Sequence, residues 1–197
     1  MALRPVFQFK ITLVGSRPPI WRRIQVSDLY SFWDLHVAIQ DAMGWLDSHL
    51  HLFQIKDPVT GQLEQFGIPD DFDELGVQPG WDHKIRDYFS MSNPKARYDY
   101  DFGDCWHHRI ELEGVFPKEK NVRYPICLAG QRACPPEDVG GIRGYESFLE
   151  ILMNPADEEY KEMLDWVGGD FQPEIFDPAK VHFSKPKERL RYAFHAI

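Results

Sequence analysis

Long apolar runs are missing from this 197-residue chain. No stretch approaches the roughly 20 uninterrupted apolar residues of a membrane-spanning helix, and Met1 to Lys10 lacks the apolar run of a secretion signal. The expectation is a cytoplasmic protein with no membrane partner. Cysteine is scarce: Cys105, Cys127 and Cys134 are an odd number, which excludes a complete disulfide framework and reads as reduced thiols. Basic charge is also short, with 22 Lys and Arg against 31 Asp and Glu and a formal charge of −9. That balance disfavours nucleic acid as a partner, because duplex affinity comes chiefly from cations displacing condensed counterions. A phosphate-binding loop is absent as well. Gly140, Gly141 and Gly144 precede a helical segment, but no Lys-Ser or Lys-Thr follows, and Glu137 and Asp138 would repel phosphate. No internal repeat and no low-complexity linker divides the chain.

What is present is apolar bulk: 43% hydrophobic residues, with 14 Phe, 8 Tyr and 6 Trp, enough to fill one core. We read 1–197 as a single domain, mainly β with one helix over 1–126 and mainly helical over 127–197. Phe7, Phe9, Ile11 and Leu13 alternate with Gln8, Lys10 and Thr12, the period of a strand with one buried face. A turn at Gly15 to Pro19 leads to a second strand, Ile20 to Val26. Ser31 and Asp34 form a capping-box signature ahead of the stripe Phe32, Leu35, Ile39 and Ala42, and Gly44 ends that helix. His49 to Ile55 and Gln62 to Phe66 read as strands. After an irregular stretch from Gly67 to Lys95, strands return at Arg97 to Phe102 and Trp106 to Glu113. Helices are expected around Tyr145 to Leu152, from Asp157 to Val167 ahead of a stop at Gly168-Gly169, and from about Lys185 to His195, the last covering the sheet. The fold class is therefore α+β: a mixed, mainly antiparallel sheet of two hairpins plus a further β-hairpin, packed against helices, with a helical C-terminal part.

The hairpin carries the densest chemistry. With Gly103, Asp104 and Cys105 as its loop, alternation pairs Phe102 with Trp106, Tyr100 with His108 and Tyr98 with Ile110 on an aromatic face. Asp101 then meets His107, Asp99 meets Arg109 and Arg97 meets Glu111 on the other. Asp99, Asp101, Asp104 and His107 are the catalytic candidates, since a carboxylate beside an imidazole can serve in acid-base work or hold a cation. The same arrangement is also that of a salt-bridged structural hairpin. Cys127 and Cys134, with Cys105 or His107, are the residue types of a zinc site, but six residues separate the first two, where zinc knuckles place two to four. Inert thiols fit that spacing better. Trp21, Arg23, Trp45, His49, His51, Glu137 and Asp138 complete the candidate ligand-binding set. His49 and His51 share one face of a strand, where half-buried structural histidines are the commoner outcome. No cofactor is predicted; zinc at the thiols or magnesium at the carboxylates would suit these donors. Charge is uneven too: twelve acidic residues lie between Glu137 and Asp177, followed by a basic tail that could tie them down.

Several blocks taken together are more specific than any one: Pro19-Ile-Trp-Arg-Arg23, Met43-Gly-Trp45 with His49-Leu-His51, Tyr100-Asp-Phe-Gly-Asp104 with Trp106 and His108, Ala133-Cys-Pro-Pro-Glu-Asp-Val-Gly-Gly141, and Trp166. From about Val6 to His182 the chain resembles the plasmid pRiA4b ORF-3-like family. The resemblance implies a protein of plasmid or mobile-element origin, a family sometimes labelled resolvase-like. The arginine-surrounded nucleophilic serine and basic DNA-binding module of a serine recombinase are not found in this acidic chain. Where the family has a His near the start of the penultimate helix, this chain has Asp157, Glu158 and Glu159. The leading expectation is a noncatalytic binding or adaptor domain for a protein or small-molecule partner. Its rival is a divalent-metal-dependent hydrolase or nuclease-type enzyme built on the hairpin Asp/His cluster with Glu137 or Asp138. A third reading is a nucleic-acid-binding accessory protein using Arg22, Arg23 and the tail from Lys180 to Arg191.

Overall fold

The computed structural model describes residues 4–69 and 76–195. Eight strands form one sheet: β1 (Pro5–Leu13), β2 (Trp21–Ser27), β3 (His51–Lys56), β4 (Leu63–Gly67), β5 (Gln78–Pro79), β6 (Lys95–Tyr100), β7 (Trp106–Pro117) and β8 (Ile126–Gln131). Their order is β5-β4-β3-β6-β7-β1-β2-β8, antiparallel throughout except for the short β4–β5 pair. Four helices accompany it: α1 (Phe32–Met43), α2 (Gly141–Met153), α3 (Tyr160–Trp166) and α4 (Pro186–His195). This is the α+β architecture expected from the pattern.

One face of the sheet carries the core. Phe9, Ile11 and Leu13 of β1, Ile24 and Val26 of β2, Phe53 and Ile55 of β3, Tyr98 and Tyr100 of β6, and Trp106, Ile110 and Leu112 of β7 are buried together. The alternation seen in the sequence decides which residues these are, because side chains on a strand point to opposite faces in turn. Helix α1 lies over this face. Its start is fixed by the anticipated capping box: the Asp34 amide donates to Ser31 Oγ at 3.1 Å, and the Ser31 amide donates to Asp34 Oδ2 at 2.8 Å. Phe32 then stacks on Phe66 with ring centroids 4.2 Å apart. Gly44, at φ 98°, closes the helix in the left-handed conformation that glycine adopts without penalty. Tyr145 and Phe148 of α2 join the same core.

Three expectations are corrected. First, β6 and β7 pair Tyr100 with Trp106, Tyr98 with His108, Asp99 with His107 and Arg97 with Arg109, two residues away from the anticipated register. The two faces survive, because a slip of two residues preserves parity, but the loop is five residues, Asp101 to Cys105. Asp101 leaves the strand at φ 57°, its Oδ1 accepting from the amides of Gly103 and Asp104, and the Cys105 amide donates to the Asp101 carbonyl at 2.7 Å. That side-chain-capped turn absorbs Asp101 and Phe102, and Phe102 is exposed rather than packed on Trp106. Second, α4 packs on α1 instead of covering the sheet: Trp33 Nε1 donates to the Pro186 carbonyl, and Arg189 pairs with Asp41 and Asp47. The basic tail is thereby tied to α1 and its following loop, with no ion pair to the Glu137–Asp177 segment among the described residues. Third, at the start of the stretch expected to be mainly helical, Ile126–Gln131 is an edge strand paired with β2 alone.

Candidate functional site

The hairpin loop, the residues entering β3 and the segment 134–141 meet at one end of the sheet. Asp101 directs Oδ1 to its own turn and leaves Oδ2 facing His49 Nε2 at 3.6 Å. From the opposite side Asp138, itself at φ 60°, brings Oδ1 to 3.1 Å from the same nitrogen. Neither approach has hydrogen-bond alignment, so His49 Nε2, although shielded from solvent, has no hydrogen-bond partner. One ligand atom from each of His49, Asp101 and Asp138 lies within 4.8 Å of the others, the sole such trio of His, Cys, Asp or Glu among the described residues. The 134–141 segment is held in place by several independent contacts. Trp45 Nε1 donates to the Pro135 carbonyl at 3.0 Å, and Glu137 accepts from the Tyr100 hydroxyl and the Leu46 amide. The Gly140 amide donates to Asp104 Oδ2 at 3.1 Å. Gly141 has to be glycine: φ is +69°, and a Cβ there would sit 2.5 Å from the Asp104 carbonyl oxygen.

The anticipated residues therefore divide. Asp101 and Asp138 converge on His49, whereas Asp104 meets the 134–141 segment through the Gly140 amide and Glu137 is turned to Tyr100 and Leu46. Asp99 and His107 do not join the cluster. They sit on the opposite, polar face of the sheet, where His107 Nδ1 is 2.6 Å from Asp99 Oδ1 and Arg97 donates to that same oxygen at 2.8 Å. Trp21 and Arg23 share that polar face: Arg23 makes a two-pronged pair with Glu113, at 2.6 and 2.8 Å, and lies over the Trp21 ring. Trp45 is buried against Tyr100 and Trp106. Arg22 is also buried, donating to the carbonyls of Ala42, Trp21 and Gln131 while stacking on Phe176. It thus supplies the cation that the last turn of α1 lacks, and it is not free to meet a phosphate backbone. Cys105 is exposed and donates to the Phe102 carbonyl. Burial lifts the Cys134 thiol to about 12 and raises Cys127, both against the pull of nearby Arg22, so both thiols stay protonated near neutral pH.

His51 is not at the cluster but deep beneath α1, where its ring stacks on His36 with centroids 3.5 Å apart. Neither of its ring nitrogens has a hydrogen-bond partner, and burial with His36 alongside drives its pKa well below 6.5. His36 and Gln40 were missed by the sequence reading. Gln40 Nε2 donates to the Tyr98 hydroxyl at 2.8 Å, that hydroxyl donates to His36 Nδ1 at 2.9 Å, and His36 Nε2 donates to Asp47 at 2.7 Å. Their i, i+4 spacing beside the apolar stripe was the available signal. His108 is a further buried imidazole. Its Nδ1 donates to the Tyr98 carbonyl at 3.3 Å and its Nε2 has no partner, and burial lowers its pKa from 6.5 to about 4.

The chain belongs to the plasmid pRiA4b ORF-3-like proteins, whose family model matches residues 5–180. It is 37% identical over 183 residues to the uncharacterized protein y4hQ of Sinorhizobium fredii (strain NBRC 101917 / NGR234), a match covering 91% of this chain and 88% of that protein. Its fold is similar to the crystal structure of MM3350 from Methanosarcina mazei Go1, a protein of unknown function. That likeness has a TM-score of 0.87 at 45% identity and covers 92% of this chain and 100% of the other. No helix among the described residues is long and apolar enough to cross a membrane.

Proposed function

We propose that the protein is a noncatalytic binding domain whose ligand site is the His49, Asp101 and Asp138 cluster, bridged to its ligand by a zinc-class divalent cation. The carrying observation is the placement of two carboxylate oxygens 3.1 and 3.6 Å from an imidazole nitrogen that hydrogen-bonds to neither. For tetrahedral zinc with bonds of about 2.0–2.1 Å, ligand atoms stand roughly 3.4 Å apart, so these spacings suit three protein donors with a fourth position open. One imidazole and two carboxylates are donors that borderline cations accept.

Two features favour binding over catalysis. Glu137, the carboxylate nearest in sequence that would serve as a base, is occupied by the Tyr100 hydroxyl and the Leu46 amide. Among the described residues no Ser, Thr or Cys side chain is hydrogen-bonded to a histidine, so no activated nucleophile accompanies the cluster. A divalent-metal-dependent hydrolase is the second reading, favoured by the same donor trio, since an open fourth position is also where a catalytic water would sit.

Elemental analysis after zinc loading, calorimetric titration with zinc alone, and a hydrolase screen of the loaded protein test both. Stoichiometric zinc that is lost in His49→Ala and in Asp101→Asn, with no hydrolysis, is the expected result. Asn keeps the side-chain oxygen that caps the 101–105 turn and tolerates its left-handed backbone, so the second variant removes charge without removing the turn. Zinc binding unchanged in both variants overturns the site, and metal-dependent turnover replaces the binding reading with the hydrolase.

A further inference from the structure

A second cleft, sharing no residue with the His49 cluster, lies between the start of α1, the segment before β8 and the start of α4. It has a volume of about 750 Å³, within the range of small-molecule sites. Two segments far apart in sequence bring cations to it: Arg123 from one, and Lys185, Lys187 and Arg191 from the other. Tyr30, Tyr124 and Phe183 bring aromatic side chains to its walls.

The protein carries a formal charge of −9, and several of its arginines are matched, as with Arg23 and Glu113, Arg132 and Glu174, or Arg189 and Asp41. In the cleft, Arg123, Lys187 and Arg191 have no ion-pair partner among the described residues. Two carboxylates line it as well. Asp34 accepts from the Ser31 amide in the α1 capping box, and Glu188 pairs with Lys185 at 2.7 Å. Four cations, Arg123, Lys185, Lys187 and Arg191, against two carboxylates give the cleft a net positive lining on an acidic protein.

We propose that this cleft binds a mononucleotide-class ligand, with its phosphate held by Arg123, Lys187 and Arg191 and its flat ring set against the Tyr30, Tyr124 and Phe183 walls. Guanidinium groups match phosphate oxygens in a planar, two-pronged geometry, and aromatic faces accept a base by stacking. A nucleic-acid strand fits less well. Its phosphates would have to continue beyond one pocket onto a surface where carboxylates outnumber cations, and Arg22 is buried while Arg23 is held by Glu113.

The test is calorimetric titration of the full chain with adenosine monophosphate, adenosine, inorganic phosphate and a thymidine oligonucleotide, at low and high salt. Adenosine monophosphate is expected to bind more tightly than adenosine or phosphate, and to weaken as salt rises. Arg123→Ala and Arg191→Ala should each weaken it by about tenfold or more, the loss of one charged hydrogen bond. Both side chains are exposed, so the variants should fold, which circular dichroism checks. Arg97→Ala, on the polar sheet face, should leave affinity unchanged. No binding of adenosine monophosphate, or binding that both cleft variants retain in full, overturns the proposal. Equal affinity for inorganic phosphate removes the ring subsite, and tighter binding of the oligonucleotide replaces a mononucleotide with a strand.

Discussion

Acidification should expose the cost of burying His108. Its ring is shut in the core between Trp45 and Tyr98, with one nitrogen donating to a carbonyl and the other facing no donor. A second proton on Nε2 would create a charge with neither water nor a carboxylate to receive it, and the pKa accordingly falls from 6.5 to about 4. In the unfolded chain the same imidazole titrates near 6.5, so below that pH the unfolded state binds more protons than the folded one. Stability is therefore intact above pH 6.5 and is lost as the pH falls toward 4. A gap of this size at about 1.36 kcal/mol per unit amounts to roughly 3 kcal/mol by pH 4. His51, with its pKa also lowered, adds to the loss in the same direction. The readout is urea unfolding from pH 8 to pH 4, followed by tryptophan fluorescence, for the wild type and for His108→Gln, whose amide still offers a donor to the Tyr98 carbonyl. The variant should lose about 3 kcal/mol less than the wild type over that span. Parallel curves for the two proteins would refute the argument, since the imidazole would then be charging inside the fold without penalty.

Three further outcomes follow from the same geometry. Arg22→Met should cost about 3 kcal/mol or more, because the buried Ala42 carbonyl and the part-buried Trp21 and Gln131 carbonyls lose their donor; Arg23→Gln should cost under about 1 kcal/mol, its pair with Glu113 being half-exposed, and equal shifts in denaturation midpoint would contradict this. Gly44→Ala meets nothing within 4 Å and should cost only the left-handed backbone, about 1–2 kcal/mol; Gly141→Ala adds a clash with the Asp104 carbonyl and should cost measurably more in urea unfolding. Ser31→Ala should cost about 1 kcal/mol through loss of the α1 cap, visible as a lowered melting temperature, and an unchanged melting temperature would mean that the cap is dispensable.

The alternation of Phe7 to Leu13, the capping box at Ser31 and Asp34, and the glycine stop at Gly44 were legible because each is a local matter. Strand parity, an N-cap and a left-handed C-cap depend on residues within a few positions of one another. Within the paired strands the membership of the hairpin faces was legible for the same reason, since period two assigns each residue to a side; Asp101, expected beside Asp99 and His107, turns away as it leaves the strand. Which residue lies opposite which was not legible. That offset depends on Asp101 turning its carboxylate back onto the amides of its own loop, a choice between turns that the alternation of the flanking strands leaves open. The candidate site divides the same way. The sequence by itself marked Asp101, Asp104, His49 and Asp138 as chemically capable, but it could not separate them from Asp99 and His107, which share a hairpin with Asp101 yet face the other way. Tertiary structure decided that His49 stands between two carboxylates from segments 37 residues apart, by docking the 134–141 segment through Trp45, Tyr100 and Asp104. Strand alternation already puts Arg22 on the core side of β2 and Arg23 on the other, but tertiary structure decided that Arg22 is sealed there by the Ala42 and Gln131 carbonyls and Phe176. Burial of that kind comes from long-range packing of α1 and the loops against the sheet, which no local pattern encodes.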